Sequence, residues 1–425
     1  MRTRIVMTMF TVLALVAAAC SNSGTSNKAG GGGKTNEQPG VSKDEIRVGG
    51  VAAVTNILNG PYGAAFDGVE AYLAMVNSEG GVFNRKIHLV SKRDDNFARN
   101  QTEVQGLLAQ DNVFAALPMA TVLFGGADAL AKANIPTFGW NIQADWTGPK
   151  NLFEQEGALC IGCVLYPDLQ WLVQTLGKHK LGVLAYGVAQ SADCAKGIKA
   201  SFDKWPIAEV AFDDRSLAFG ATDLSTDVQK MKDAGVDIVT TCMDQNGTLT
   251  VAKEMKKQGL NAIQYLPNAY DHDFMNQFGD LFEGSYVRTS FAPFETSPKT
   301  KGFEEFDKWM KKLGKKEQEL SLVGWIDADM FVTGLRAAGP DFTRQKVIDA
   351  LNKMTNYTAQ GLLSGIDWTL QHDAPTAERH RVRGCAALTK VESKKFVPVF
   401  GEPGKPFVCF PYRPDKVPDK PEVRG

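Results

Sequence analysis

The stretch EIRVGGVAAVTNILNGPYGAAFDGVEAYLAMVNSEGGVFNRKIHLVSKRDD, Glu45–Asp95, decides the fold. It opens with a β-rich run, Ile46–Thr55. A helix follows, with Phe66, Val69, Leu73 and Val76 recurring at helical spacing until the glycines at 80 and 81 stop it. A second strand occupies Lys86–Asp95. Strand, helix, strand in this order is the unit from which parallel sheets are built.

Outward from this unit the alternation continues. ARNQTEVQGLLAQD reads as a helix, Val113–Ala120 as a strand, LFGGADALAKAN as a helix and Ile135–Trp140 as a strand. The plan restarts at the strand Leu181–Gly187. The helix ADCAKGIKASFDKW, the strand Ala208–Asp214, the helix LSTDVQKMKDAG and the strand Val236–Met243 follow. Next come the helix LTVAKEMKKQG and the short strands IQYLP and SYVRTSF. Two α/β lobes on one plan are expected, without a strict sequence repeat. After Phe294 three amphipathic helices appear (KGFEEFDKWMKKLG, WIDADMFVTGLRAAG, TRQKVIDALNKM). Strands and a hairpin follow, and the proline-rich tail from Gly401 is expected to be extended.

The chain has 425 residues and a net charge of -1, with 44% hydrophobic and 22% charged residues. This suits more than one globular domain. The charge balance argues against a nucleic-acid binder, which needs a basic surplus. Arg2 and Arg4 precede the apolar run Ile5–Ala19, and Ala17, Ala18 and Ala19 precede Cys20. Fifteen residues are short for a membrane-spanning helix, so residues 1–19 read as an export signal, with a short anchor as the alternative. Residues 20–42 contain GGGG and little that can pack, and read as a flexible tether with a mean reach of about 25 Å.

No P-loop, dinucleotide fingerprint or G-x-S-x-G elbow is present, and the five histidines are scattered. No enzyme, cofactor or metal site is expected. Asp94 and Asp95 read as turn or helix-cap residues rather than a cation site. Setting Cys20 aside, six of the seven cysteines remain: Cys160, Cys163, Cys194, Cys242, Cys385 and Cys409. Their spacing lacks a second metal-ligand pair, so structural disulfides are favoured, with fifteen connectivities open.

Three further details carry a family resemblance. GPYG precedes a helix that ends VNSEGGV and feeds RKIHLVSKRDD. IPTF opens the fourth strand. TDLSTDVQKMKDAGVDIVTTC stands in the second lobe. Residues 43–370 resemble the solute-binding proteins of branched-chain amino-acid-type ABC transporters. The Ala-Ala-Ala-Cys junction is similar to a bacterial lipobox, departing from it at Ala17, where leucine is commoner. That likeness implies cleavage after Ala19 and a lipid on Cys20, with a plain secretory signal as the alternative.

The resemblance implies an α/β fold of the type I periplasmic-binding class: two Rossmann-like lobes, three crossovers and a ligand cleft between the lobes. Residues 43–158 plus 294–384 would form the first lobe, and 159–293 plus 385–425 the second lobe and tail. The crossovers would lie near 157–167, 291–295 and 383–385. The implied partners are a small-molecule ligand and ABC permease and ATPase subunits, with the protein a monomer anchored outside the cell membrane. A sensory receptor on the same fold is the alternative function.

In open parallel sheets, ligands sit beyond the carboxyl ends of strands. The candidates are then Tyr62, Met119, Ala120, Thr121, Trp140 and Asn141 in the first lobe, with Pro118, Ile142 and Gln143 nearby. In the second they are Ser191, Asp244, Gln245, Tyr270 and Asp271, with Gln190 and Asp193. Trp140 can equally be core packing, and Asp244 can equally cap a helix. Amino-acid binders of the family use a hydroxyl-rich loop after the third strand, but LPMATVLF offers only Thr121. They also use a carboxylate where LPNAYDHDF places Ala269 or Tyr270. A standard α-amino acid is therefore not expected; Met119, Trp140 and Tyr270 suggest a more apolar or aromatic solute. With the family's strand order, Cys194 and Cys242 come near each other, Cys385 and Cys409 flank a hairpin, and Cys160 and Cys163 remain.

Overall fold

A computed structural model describes residues 38–140, 142–155, 167–372, 384–410 and 420–425. The lipidation candidate Cys20, the site candidate Asn141, the pair Cys160 and Cys163, and most of the first expected crossover lie outside the described residues.

The first sheet is built from β1 (Glu45–Ala52), β2 (Lys86–Asp94), β3 (Ala115–Ala120), β4 (Thr137–Gly139) and β5 (Leu152–Glu154). Its order is β2-β1-β3-β4-β5, and every pairing is parallel. Helices α1 (Ala64–Ser78), α2 (Asn100–Gln110) and α3 (Ala127–Lys132) connect these strands. β3, AALPMA, is buried along its whole length, as a central parallel strand covered on both faces must be. α1 buries Phe66, Val69, Leu73 and Val76, and Gly80 and Gly81 then take positive φ of 108° and 84°. A side chain would strain both positions, which is why the helix stops there.

The second sheet begins after α4 (Pro167–Thr175). It comprises β6 (Lys180–Tyr186), α5 (Ala189–Lys204), β7 (Glu209–Leu217), α6 (Ser225–Asp233), β8 (Ile238–Cys242), α7 (Gln245–Gln258), β9 (Ile263–Leu266), α8 (His272–Phe278) and β10 (Tyr286–Thr289). The chain then runs through α9 (Lys301–Lys312), α10 (Glu319–Ala338), α11 (Arg344–Leu351) and α12 (Trp368–Gln371). It finishes with β11 (Gly384–Glu392), β12 (Lys395–Val399), β13 (Phe407–Phe410) and β14 (Glu422–Arg424). The nine-stranded sheet has the order β14-β13-β11-β10-β9-β8-β6-β7, with β12 paired to β11.

Three differences from the sequence reading have local causes. The tail is not simply extended: β13 and β14 join the sheet edge antiparallel, because FVCF is an apolar run that the sheet buries completely. β5 has three residues, too few to show a period. α4 falls outside the expected elements, although Leu169, Leu172 and Val173 recur at helical spacing and Pro167 suits a first helical position.

α10 returns from the second lobe to pack on α1, β3 and β4 of the first. The two helices meet backbone to backbone. A β-carbon on Gly68 would stand 1.8 Å from the Ser321 carbonyl oxygen, and one on Gly324 1.9 Å from the Ala65 carbonyl oxygen. Only glycine fits at both places. α10 is fixed at its start by a capping box between Gln318 and Ser321. Replacing Gly324 by Ala is expected to cost at least about 1–3 kcal/mol of stability through overpacking, read as a lower urea midpoint. An unchanged midpoint would show that the helices do not touch here.

Candidate functional site

A cavity of about 320 Å³ lies between the carboxyl edges of the two sheets. One wall comes from the loop after β1 (Leu58 to Tyr62), Val122 after β3, Trp140 and Ile142 after β4, and Gln318 to Leu320 at the start of α10. The opposite wall comes from Tyr186 and Val188 after β6, the first turns of α5, Phe219 after β7, Met243 to Asn246 after β8, Tyr270 and Asp271 after β9, and Arg288 to Ser290 at the end of β10.

The first wall is aromatic and tightly braced. Tyr62 meets Phe97 edge-on at 5.2 Å between centroids and Trp140 at 5.6 Å. The Asn56 side chain clamps the loop: its amide donates to the Ala53 and Gly60 carbonyls and its oxygen accepts from Gly60 N. Trp140 continues the β4 ladder by donating its backbone N–H to the Met119 carbonyl. It remains half-buried with its ring against the cavity.

The second wall is polar. The Asp244 carboxylate caps α7, accepting from Asn246 N and Gly247 N, and also accepts the Tyr186 hydroxyl at 2.6 Å. It is thus both a cap and a lining residue. Burial, then the hydrogen bond to Asp244, pushes the Tyr186 phenol above the usual tyrosine range. Burial, then the charges of Asp244 and Glu319, does the same to Tyr62. Asp271 caps α8 through Phe274 N and lines the cavity. The Tyr270 hydroxyl donates to Glu295 and accepts Phe294 N. His272 shares the Glu295 carboxylate, and that hydrogen bond raises the imidazole's proton affinity despite burial. Gln245 lines the cavity beside Asp244.

Not every candidate faces this space. Met119 and Ala120 do not line the cavity; they are fully buried, Met119 against Val51, Trp146 and Leu152, because β3 is covered on both faces. Thr121 is buried and turned inward, its hydroxyl within 3.4 Å of the Leu123 backbone and its carbonyl accepting the Gln143 amide. Ser191 lines the cavity, but its hydroxyl bonds the Tyr186 N–H and the Cys242 carbonyl, joining α5 to β6 and β8. Asp94 binds Thr55. Buried Asp95 binds Phe97 N and the Asn100 amide, so the pair organises turns at the sheet edge.

Cys194 and Cys242 form a disulfide with an S–S distance of 2.04 Å, and both line the cavity. Cys385 and Cys409 face each other across β11 and β13 and are joined as well. Among the described residues no group of three or more His, Cys, Asp and Glu side chains can hold a metal ion, and no helix is long and apolar enough to cross a membrane.

Several lining residues escape sequence reasoning: Tyr186, Phe219, Asn246, Arg288, Glu319 and Leu320. The strand-end rule reaches Asn246 once the loop after β8 is read one residue further, whereas Tyr186 is the last residue of β6 itself. Glu319 and Leu320 carry no local signal, since they arrive on a helix that the first lobe borrows from beyond the second. Arg288 lies 3.8 Å from the buried Asp168 carboxylate, which also accepts the Tyr265 hydroxyl.

No curated protein matches the chain in sequence. Its structure is similar to a fatty acid ABC transporter substrate-binding protein from Thermomonospora curvata, with a TM-score of 0.73 and 18% identity over 91% of this chain and 97% of that one. It is similar to a branched chain amino acid ABC transporter structure from Thermus thermophilus with bound valine, with a TM-score of 0.70 and 16% identity over 84% and 96%. It is also similar to an R. palustris solute binding protein in complex with benzoate, with a TM-score of 0.66 and 17% identity over 86% and 97%. The periplasmic binding protein profile matches residues 45–395. The two sheets face each other across one cavity, and the chain belongs to the periplasmic binding protein family, with the type I fold.

Proposed function

We propose that this chain is the extracytoplasmic receptor of an ABC importer, closing its lobes on a small solute with an apolar or aromatic body and delivering it to the permease. The observation that carries the reading is the cavity itself: both sheets contribute to it, and Leu58, Tyr62, Trp140, Val122 and Leu320 make one wall largely apolar. A volume of about 320 Å³ suits a small ligand. The similar structures carry solutes as unlike as valine and benzoate, so specificity must come from the walls rather than the fold.

A standard α-amino acid is a poor fit. Thr121, the hydroxyl offered after β3, is turned into its own loop, and a buried ligand carboxylate without donors is costly. We place the division between lobes near 158, 293 and 384, and assign the lipid anchor to Cys20.

Two contacts already bridge the lobes. The Asn246 side chain donates to the Leu58 carbonyl at 2.6 Å, and Phe219 stands 6.5 Å from Phe97, edge to face. Both connect the lobes across the cavity, where a bridging ligand would add to them.

Titration calorimetry with leucine is expected to give no heat of binding, whereas a thermal-shift screen of small solutes is expected to find a stabilising ligand. Micromolar 1:1 binding of leucine would overturn the assignment of solute class. Replacing Asn246 and Phe219 together by Ala removes about 1–3 kcal/mol of closure. The ligand-free protein should then show a larger radius of gyration by small-angle scattering. Cys20→Ser is expected to release the protein from membranes into the soluble fraction; retention would argue against the anchor.

A further inference from the structure

Resting on the receptor reading above, we propose that Glu295 is a positioning residue at the second crossover. It clasps one lobe to the other through Tyr270, a residue of the cavity wall, and His272 makes that clasp sensitive to pH.

Besides the bridges at Asn246 and Phe219, a second set of contacts between the lobes gathers here. The chain leaves β10 at Thr289 and is pinned at once to the segment near residue 362. Phe291 pairs with Leu363, and Ala292 N donates to the Leu362 carbonyl. Phe294, two residues on, stacks on Phe306 of α9 at 6.0 Å between centroids, and α9 packs on α1. Phe294 and Glu295 are therefore held by the first lobe. Tyr270 and His272 follow β9, and both rings meet Phe396 of β12, at 4.6 and 5.3 Å, so they belong to the second. Across this boundary the Tyr270 hydroxyl donates to Glu295 Oε2 at 2.7 Å and accepts the Phe294 N–H at 2.6 Å. His272 Nε2 lies 2.6 Å from Glu295 Oε1. Both oxygens of one carboxylate are thus engaged by the opposite lobe. Because Tyr270 also lines the cavity, the lobes cannot part at this point without freeing a residue of the solute site.

The His272 contact is the one that titrates. The imidazole is partly exposed, and Phe294 stacks on it with an interplanar angle of 28°. The charged groups acting on it are Glu295 on the crossover and Asp271 and Asp273 on either side of it in the chain. Asp271 caps α8, and Asp273 is paired with Lys316 from the segment before α10. β12 presents the Phe396 ring, and Glu319 at the start of α10 acts on Tyr270. Burial, then the charge of Glu295, keeps the Tyr270 phenol protonated, so His272 is the member that changes charge near neutral pH. The hydrogen bond to Glu295 raises the imidazole's proton affinity while the lobes are clasped, and parting them removes it. The clasp is therefore strongest below the ordinary imidazole range and weakens as pH rises through the raised one. A neutral imidazole keeps one ordinary hydrogen bond in place of a charge-assisted one.

The test follows hydrogen exchange of the Phe294 N–H, which closes the clasp, by mass spectrometry of residues 290–297 in the intact, solute-free protein. Protection, corrected for the intrinsic pH dependence of exchange, is compared at about pH 6 and about pH 8.5. It is expected to fall about threefold over that interval, a modest step because the charged hydrogen bond is partly exposed. Residues 267–273, which include Tyr270, should lose protection in parallel. His272→Gln should show the lower level at both pH values, and Glu295→Gln a level below it at both. Lys316→Met removes the neighbouring ion pair but no titrating ring, and should keep the threefold step. Thermal denaturation confirms that each variant is folded. Protection that does not change with pH, a step that survives His272→Gln, or a step lost in Lys316→Met overturns the pH-sensitive clasp. Unchanged protection in Glu295→Gln, or no parallel change in residues 267–273, overturns the positioning role. The receptor reading stands in each case, because it is decided separately by the solute screen.

Discussion

The contact between α1 and α10 at Gly68 and Gly324 is the constraint on which the cleft depends. α10 belongs by sequence to a block beyond the second lobe, yet it must lie against the first. The two helices approach backbone to backbone, and a methyl group at Gly68 or Gly324 would force them apart. The consequence reaches the site. Tyr62 lies two residues before α1, and Glu319 and Leu320 begin α10, so the same close contact brings both helix starts to one wall of the cavity.

The second lobe solves a different problem. Its helices begin at the carboxyl edge of the sheet, and each exposed set of N–H groups needs an acceptor. Asp244 and Asp271 supply it from within the chain, and the Ser191 hydroxyl joins two strands to α5. The Cys194–Cys242 bridge ties α5 to the end of β8, so the segments that carry Gln190, Asp193, Asp244 and Gln245 are covalently joined. Structural roles and cavity lining are therefore shared by the same side chains.

Much of the fold is legible along the chain because burial there follows local periodicity. Val69, Leu73 and Val76 mark the inner face of α1, and Val228 and Met231 that of α6. Glycines at 80, 81, 235 and 259 stop helices where positive φ is needed. Elements without a period were not legible: β5 is three residues long, and β13 hides among prolines. Within the cavity, Trp140, Asp244 and Tyr270 are legible from position alone, as residues shortly past strand ends, and Tyr62 as part of the loop that joins β1 to α1. Met119 and Thr121 occupy equivalent positions and yet face inward, since the direction of a side chain at a strand end depends on what covers that face.

The sequence by itself determined two α/β lobes of parallel strands, the positions of their helices and the strand-end loops from which a cleft is made. Local spacing of apolar residues and glycine conformations are sufficient for that. Only the tertiary structure decided which of those loops oppose one another, that Glu319 on a returning helix lines the same cavity as Asp244, and that Thr121 turns away. Those facts depend on contacts between residues far apart in the chain, and close packing rather than local pattern selects them.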